Sequence, residues 1–371
     1  MPSELHSWVE INLKALDHNL RLIRDQLSPQ VTIMAVVKAD AYGHGAQVIS
    51  ARLEELGIKA FGVANVNEAV TLREAGIKGE IFLLGGFFKG EEEYIITHEL
   101  VPLVYDLESL IRLSEEAQKW NKKVKVHLKV DTGMGRFGIL PDKVKEVIEE
   151  IEKLPLIKIE GLASHFSTAD EGDDFFYEQL RIFEDIRVFL KRMRLNLKCH
   201  MANSSAIFSS PQSHFDMVRP GITLYGVHPS LNFKKRFSLL LKPLMCWKTR
   251  IVSIKEIPKG WPVSYGKTWC ASRRSCIGII PVGYADGYIR ALSNRGWVLV
   301  KGKKVPVIGR VTMDCTIIDL TELPEARVGD EVILLGEDIP AEEVASWACT
   351  IPYEVLCLAG KNQRIIKDEN V

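Results

Sequence analysis

Apolar and polar positions alternate in two patterns over the first two-thirds of the chain. Short β-branched apolar runs occur at VTIMAVVKA (31–39), AFGVANV (60–66), EIFLLGG (80–86), LVPLVYD (100–106), KVKVHLKVD (123–131), IKIEGLASHF (157–166), LKCHMANS (197–204) and MVRPGITLYG (217–226). Between most of them, apolar residues recur every three or four positions. Examples are GAQVISARLEELG, NEAVTLREAG, LESLIRLSEEAQKWN, DKVKEVIEEIEKL and FFYEQLRIFEDIRVFLKRMR. Strands separated by helices in this way predict parallel βαβ units. Eight such strands fit a closed (β/α)8 barrel, with an open doubly wound sheet as the competing architecture.

The texture changes after Val227. HPSLNFKKRF is polar and predicts little helix. From Leu241 onward the strand-like runs CWKTRIVSIKEI, CIGIIPVGYAD, GWVLVKGKKVPVIGRV, CTIIDLTEL and DEVILLG follow, punctuated by Gly, Pro and Asn. KGKK, inside the third of these runs, reads as a hairpin turn between two strands. AEEVASWACT predicts a short helix near the end. The chain therefore divides into an α/β barrel over residues 1–237 and a mainly β domain over 238–371. Its 371 residues exceed what one hydrophobic core usually organises.

Composition narrows the setting. Lys and Arg number 48, matched by 48 Asp and Glu, so no general charge excess favours nucleic acid or an anionic membrane. The seven cysteines are scattered without a C-x-x-C pair, the pattern of reduced thiols in a cytoplasmic protein. MPSELHSWVEINLKALDHNL has no signal-peptide apolar core. No window approaches the roughly 18 apolar residues of a membrane span.

Candidate chemistry sits where strands end, the face on which barrel active sites form. Lys38, Lys129, His165, Ser204 and Arg219 all end predicted strands. Each alone is an ordinary residue: a strand-end lysine is usually solvated and a lone histidine usually structural. Together they point to a site. A lysine in a partly dry pocket loses its proton more readily, and a neutral amine adds to an aldehyde. Gly43 and Gly45 after Lys38 would let backbone approach a ligand. Ser204 and the N–H groups of Gly221 and Ile222, aimed by the RPG turn, are candidate phosphate donors. The pattern reads as an aldehyde cofactor bearing a phosphate.

AVVKADAYGHG (35–45) resembles the pyridoxal-phosphate lysine motif of alanine racemases. KVDTGMGRFGI (129–139), SHFSTADE (164–171), NSSA (203–206), VRPGITLYG (218–226), VSYGKTW (263–269), GYADGYIRALSN (283–294), VIGRVTMD (307–314) and PYEVLC (352–357) resemble the same family, in order over nearly the whole chain. The resemblance implies an eight-stranded barrel followed by a mainly β domain. It also implies an enzyme that interconverts L- and D-alanine in the cytoplasm and supplies D-alanine for peptidoglycan. Pyridoxal 5'-phosphate is then attached to Lys38, with Tyr42, Ser204, Gly221, Ile222 and Tyr353 around its phosphate. Arg219 faces the pyridine nitrogen, with His165 beside it. A guanidinium can only donate, so it leaves that nitrogen unprotonated, weakens the ring as an electron sink and limits transamination.

Racemisation removes a proton from one face of Cα and returns one to the other, so two bases are expected. By resemblance they are Lys38 and Tyr265. A phenol with a pKa of about 10 is a poor base at neutral pH. Arg136 is the cation that the resemblance puts next to Tyr265. Arg136 and Met313 would receive the substrate carboxylate. Asp170, Arg290, Arg310 and Ile351 would line the entrance, and Tyr284 and Asp314 belong with the residues at or behind it. Tyr265 and Met313 would reach the partner subunit's barrel, which implies a homodimer with shared sites. Lys129 would carry carbon dioxide as a carbamate that orients Arg136; the alternative is a plain lysine beside chloride or water. Glu171, Asp173 and Asp174 read as a solvated loop, and no metal is expected. Thr312, Cys315 and Ile289 stand where family members commonly have Cys, Gln and Pro, and the tail GKNQRIIK lacks the frequent R-V-P-R ending. Rival readings are a racemase of another small amino acid such as serine, a non-catalytic pyridoxal-phosphate-binding barrel, and a decarboxylase of the same two-domain plan. The last would be expected to carry a carboxylate opposite the ring nitrogen.

Overall fold

The computed structural model describes residues 5–368. Its first strand, β1 (Ser7–Asn12), stands apart from the eight that follow it. Those are β2 (Thr32–Val36), β3 (Ala60–Val63), β4 (Glu80–Leu83), β5 (Leu100–Val104), β6 (Val124–Lys129), β7 (Ile157–Ala163), β8 (Lys198–Asn203) and β9 (Met217–Arg219). They close into a parallel barrel, the β2–β9 pairing joining Thr32 to Met217 and Ile33 to Val218. All eight lie within the runs read from the sequence, and the open-sheet alternative falls away.

Helices cross between the strands because their apolar stripes repeat at helical spacing and their starts are capped. Asn65 caps Val66–Glu74, Asp106 caps Leu107–Trp120 and Asp173 caps Asp174–Arg192. Asp173 also accepts from the Thr168 hydroxyl at 2.6 Å. It is therefore a helix cap, a more specific role than the solvated loop expected for it. Inside the barrel, Met34, Ala60, Phe82, Val101, Leu103, Ala163 and Met217 form one apolar cluster. These come from β2, β3, β4, β5, β7 and β9. From β6 and β8 two buried histidines, His127 and His200, meet instead.

The second compact unit comprises residues up to Leu20, Tyr42–Gly45 and the chain from Tyr225 onward. The expected division at 237/238 differs from this in two ways. First, β1 pairs antiparallel with β10 (Met245–Arg250) and parallel with the C-terminal strand Gln363–Lys367. It is thus an inner strand of a six-stranded sheet rather than a barrel element. Second, the chain just after 225 is bound into this unit by a buried pair, with His228 Nδ1 2.8 Å from Glu342 Oε1.

The segment read as helix-poor holds a short helix, Leu231–Phe237. Ser230 caps it, and Phe233 is its fully buried residue. The KGKK hairpin is present between Trp297–Val300 and Lys303–Pro306. Its two turn residues, Lys301 and Gly302, both have positive φ (48° and 76°), as a type I′ turn requires. A three-stranded and a two-stranded sheet share a core of Ile257, Val263, Ala271, Ile277 and Ile308. Helices Ala341–Ala348 and Pro352–Ala359 follow.

Ile11 of β1 is fully buried, so Ile11→Ala should cost about 2–5 kcal/mol and Ile11→Val about 1 kcal/mol. Urea midpoints measure both; negligible loss in Ile11→Ala would contradict an inner position for β1.

Candidate functional site

In the barrel unit, Lys38 is half-buried two residues beyond β2. Its backbone context is rare. Ala39, Asp40 and Ala41 have φ of 51–54° and ψ of 47–49°, a left-handed turn, and Tyr42 continues it at φ 53°. This conformation costs an L-residue about 1–2 kcal/mol, so it persists only where neighbours enforce it. Glu68 does much of that. One carboxylate oxygen accepts from Ala39 N at 2.8 Å and the other from Ala64 N at 2.7 Å. Asp40 accepts from Ala46 N at 2.7 Å. The short side chains of KADA suit a turn in which Cβ crowds the backbone.

Gly43 needs its own correction. A Cβ there would lie 2.7 Å from Leu356 O and 2.9 Å from Gly360 Cα. The room it gives is taken by the chain itself within the second unit, not left for a ligand.

Arg219 ends β9 and is buried. One guanidinium nitrogen reaches His200 O at 2.8 Å and His200 Nδ1 at 2.5 Å. The other donates to Ser164 O and to Met201 O at 3.2 Å, and lies 3.3 Å from His165 Nδ1. Burial lowers its pKa to about 10, so it stays charged at neutral pH. Burial, then the charges of Arg219, Lys129, Arg136 and Lys38, hold His165 well below its usual value and therefore neutral.

Lys129 ends β6, buried, and its pKa falls to about 7. Burial is the main cause, followed by Arg219, Arg136 and Lys38, with Asp131 opposing. A neutral fraction at physiological pH is the form that can add carbon dioxide. Lys129 and Arg136 both sit over the Phe137 ring, at 5.8 and 5.7 Å from its centroid. Arg136 itself is exposed. Asp131 accepts from the backbone N–H groups of Gly133, Met134, Gly135 and Arg136 at 2.8–3.2 Å. Burial raises its pKa, but these bonds outweigh burial and the net shift is downward. Its charge is spent on folding the loop that presents Arg136.

Ser204 is buried at the end of β8, and its Oγ accepts from Gly221 N at 2.9 Å and from the Thr223 hydroxyl at 3.1 Å. Ile222 beside Gly221 is buried. Asp170 is half-buried in the loop before Asp174–Arg192. Gln179 steadies that loop: its amide oxygen accepts from Ser167 N at 2.9 Å, and its nitrogen donates to His165 O at 3.2 Å.

In the second unit, Tyr42 is buried, 4.9 Å from Tyr225 and 5.9 Å from Tyr353 between ring centroids. Burial, then Tyr353 and Cys357, push its phenol far above the usual range, so it stays protonated. Tyr265 is 73% exposed. Ser264, Gly266 and Lys267 around it all have positive φ, which turns the ring out of the chain's own surface. The Ser264 hydroxyl donates to Arg310 O at 2.6 Å, and a Cβ on Gly266 would meet the Arg310 guanidinium at 3.0 Å. Met313 is 59% exposed. Tyr284 N donates to Thr312 O and Ala285 N to Met313 O, at 3.0 and 2.9 Å. The exposed Tyr284, Met313 and Asp314 thus belong to one loop cluster. Thr312 closes its own turn, its hydroxyl donating to Cys315 O at 2.8 Å. Arg290 and Ile351 are exposed. Among the described residues, no group of three His, Cys, Asp or Glu side chains could hold a metal ion.

Sequence reading missed Glu68, Asp131, Gln179, His200 and Thr223. Asp131 alone had a visible signal, a carboxylate opening the glycine-rich DTGMGR. The donor set defines the chemistry. Lys38, Lys129, Arg136 and Arg219 act electrostatically on one another's surroundings, while Asp131 is engaged by backbone. Such a site suits a phosphorylated anion with a ring acceptor, and pyridoxal phosphate fits it.

Comparison with known proteins agrees. Residues 11–229 match the alanine racemase N-terminal domain and residues 244–366 the alanine racemase C-terminal domain. The chain belongs to the alanine racemase family. An alanine racemase of Halothermothrix orenii is 44% identical over 368 residues, spanning 98% of this chain and 96% of that protein. The structure of alanine racemase from D-cycloserine-producing Streptomyces lavendulae matches with a TM-score of 0.95 at 33% identity, covering 99% of this chain and 98% of that one. That of Bartonella henselae alanine racemase, with covalently bound pyridoxal phosphate, matches at 0.89 and 31%, covering 98% and 100%.

Lys129 gives a pH test. Between its folded pKa of about 7 and its ordinary 10.5, the unfolded chain binds more protons. Stability contributed by this group therefore rises with pH across that window. Wild type should gain stability relative to Lys129→Met as pH rises from 7 toward 10.5. Urea midpoints across this range measure it; a difference independent of pH would contradict a depressed pKa.

Proposed function

We propose that the protein is a pyridoxal-phosphate-dependent alanine racemase that uses Lys38 and Tyr265 as its two bases. The observation that carries this is the buried Arg219, a charged group among neutral acceptors, with lysines and arginines clustered around it. Lys38 would hold the cofactor, Arg219 would donate to its ring nitrogen, and Ser204, Gly221 and Ile222, with Tyr42 and Tyr353, would hold its phosphate. When bound, the cofactor delocalises the electron pair left at the substrate Cα.

The remaining work belongs to the chain. Arg136 and Met313 bind the carboxylate of a small amino acid. Lys38 takes or returns the proton on one face of Cα, and Tyr265 on the other. A phenolate at Tyr265 needs a cation beside it, and Arg136 is the group assigned to that task. Arg219, able only to donate, keeps the ring nitrogen unprotonated and favours proton return at Cα over side reactions. Lys129, neutral in part, would take carbon dioxide and orient Arg136.

Tyr265 and Met313 are too exposed to serve a water-excluded step on their own chain's surface, so we assign them to the partner subunit's site in a homodimer. Asp170, Arg290, Arg310, Ile351, Tyr284 and Asp314 would shape the entrance. The seven free cysteines fit a reducing cytoplasm. Among the described residues, no helix is long and apolar enough to cross a membrane.

Lys38→Ala should abolish both the visible absorbance of the bound cofactor and racemisation; substantial residual racemisation would sink the assignment. Tyr265→Phe should slow α-proton exchange from one enantiomer of alanine more than from the other. Deuterium exchange followed separately for L- and D-alanine reads this, and a small symmetrical effect would argue against two bases. Specific activity should fall on dilution as the dimer dissociates, tracked by light scattering. A fully active monomer would rule out shared sites.

A further inference from the structure

The two imidazoles inside the barrel form an ordered chain with Arg219. His200 Nδ1 lies 2.5 Å from the Arg219 guanidinium, and His200 Nε2 lies 2.8 Å from His127 Nδ1. A guanidinium offers N–H donors and no acceptor, so His200 Nδ1 must accept. An imidazolium has no acceptor either, so His200 is neutral and carries its hydrogen on Nε2. That N–H faces His127, whose Nδ1 accepts in turn. His127 is therefore also neutral, with its hydrogen on Nε2. Burial acts in the same direction on both rings, with the charge of Arg219 adding to it.

The barrel is locally shaped for this chain. The register between β6 and β7 shifts at Val126/His127, which sets His127 opposite Gly161. A Cβ at Gly161 would lie 2.2 Å from His127 Nδ1, so a larger residue there would drive the ring from its seat. The edge of His127 packs on Phe82 at 5.0 Å between centroids.

We propose that His127 is a positioning residue for the reaction: by accepting from His200 it locks the His200 tautomer that can accept from Arg219, and so holds the guanidinium in place to donate to the cofactor ring nitrogen. This rests on the racemase reading above. Without an acceptor at 127, the His200 hydrogen can move to Nδ1. There it would oppose the Arg219 N–H and displace the guanidinium.

Two substitutions separate this lock from mere packing. His127→Leu fills the apolar interior but accepts nothing. His127→Asn sets an amide oxygen near the place of Nδ1. If His127 only fills space, the leucine variant should be the better tolerated. The lock predicts the reverse: His127→Leu lowers kcat for alanine racemisation about ten- to a hundredfold, the scale of a small misplacement of a working group. KM should change little. His127→Asn should recover most of kcat.

A second readout needs neither variant nor cofactor. In protein labelled with 15N-histidine and stripped of cofactor, ring nitrogen shifts should show unprotonated Nδ1 and protonated Nε2 on both histidines across neutral pH. A wild-type His200 protonated on Nδ1, or a leucine variant as active as the asparagine variant, would overturn the lock. If the predicted tautomers appear but wild type does not racemise alanine, the lock on Arg219 stands and the racemase reading fails.

Discussion

Arg219 carries a full positive charge, buried, at the carboxyl end of the last strand of a parallel barrel. Its described hydrogen-bond partners are three backbone carbonyls and two imidazole nitrogens, all of them neutral. Burying a charge without a counterion is expensive, even when each N–H finds an acceptor. Burial, with the field of this charge adding to it, lowers the Lys129 pKa to about 7 and keeps His165 neutral. A strongly donating, weakly basic environment follows, one that suits a phosphorylated ring.

Other features keep that charge and its neighbours in register. Asp131 is held by four backbone N–H groups, so it builds the Arg136 loop. Glu68 stabilises the left-handed turn that follows Lys38. On the second unit, Ser264, Gly266 and Lys267, all at positive φ, flank the exposed Tyr265. Backbone strain thus gathers in the residues just after Lys38 and in those flanking Tyr265.

The eight barrel strands were legible because each is a short apolar run followed by a helical stripe. β1 was not. SWVEIN leads straight into a helix, and its partners lie more than two hundred residues away at 245–250 and 363–367. The helix at 231–237 was missed because only Phe233 among its seven residues is buried. Lys38, Lys129 and Arg219 could be picked out as charged residues ending apolar runs. Their partners could not. Glu68, Gln179, His200 and His127 acquire meaning only from which strands neighbour which, and a one-residue register shift between β6 and β7 decides what His127 faces. Gly43 was misread for the same reason: its close neighbour is Gly360, far along the chain.

The most direct test is to supply the purified protein with pyridoxal phosphate, record its visible absorbance, and analyse L-alanine by chiral chromatography after incubation. The account predicts absorbance from cofactor attached to the protein, together with the appearance of D-alanine. Protein that takes up no pyridoxal phosphate, or that takes it up and returns L-alanine unchanged, would contradict it.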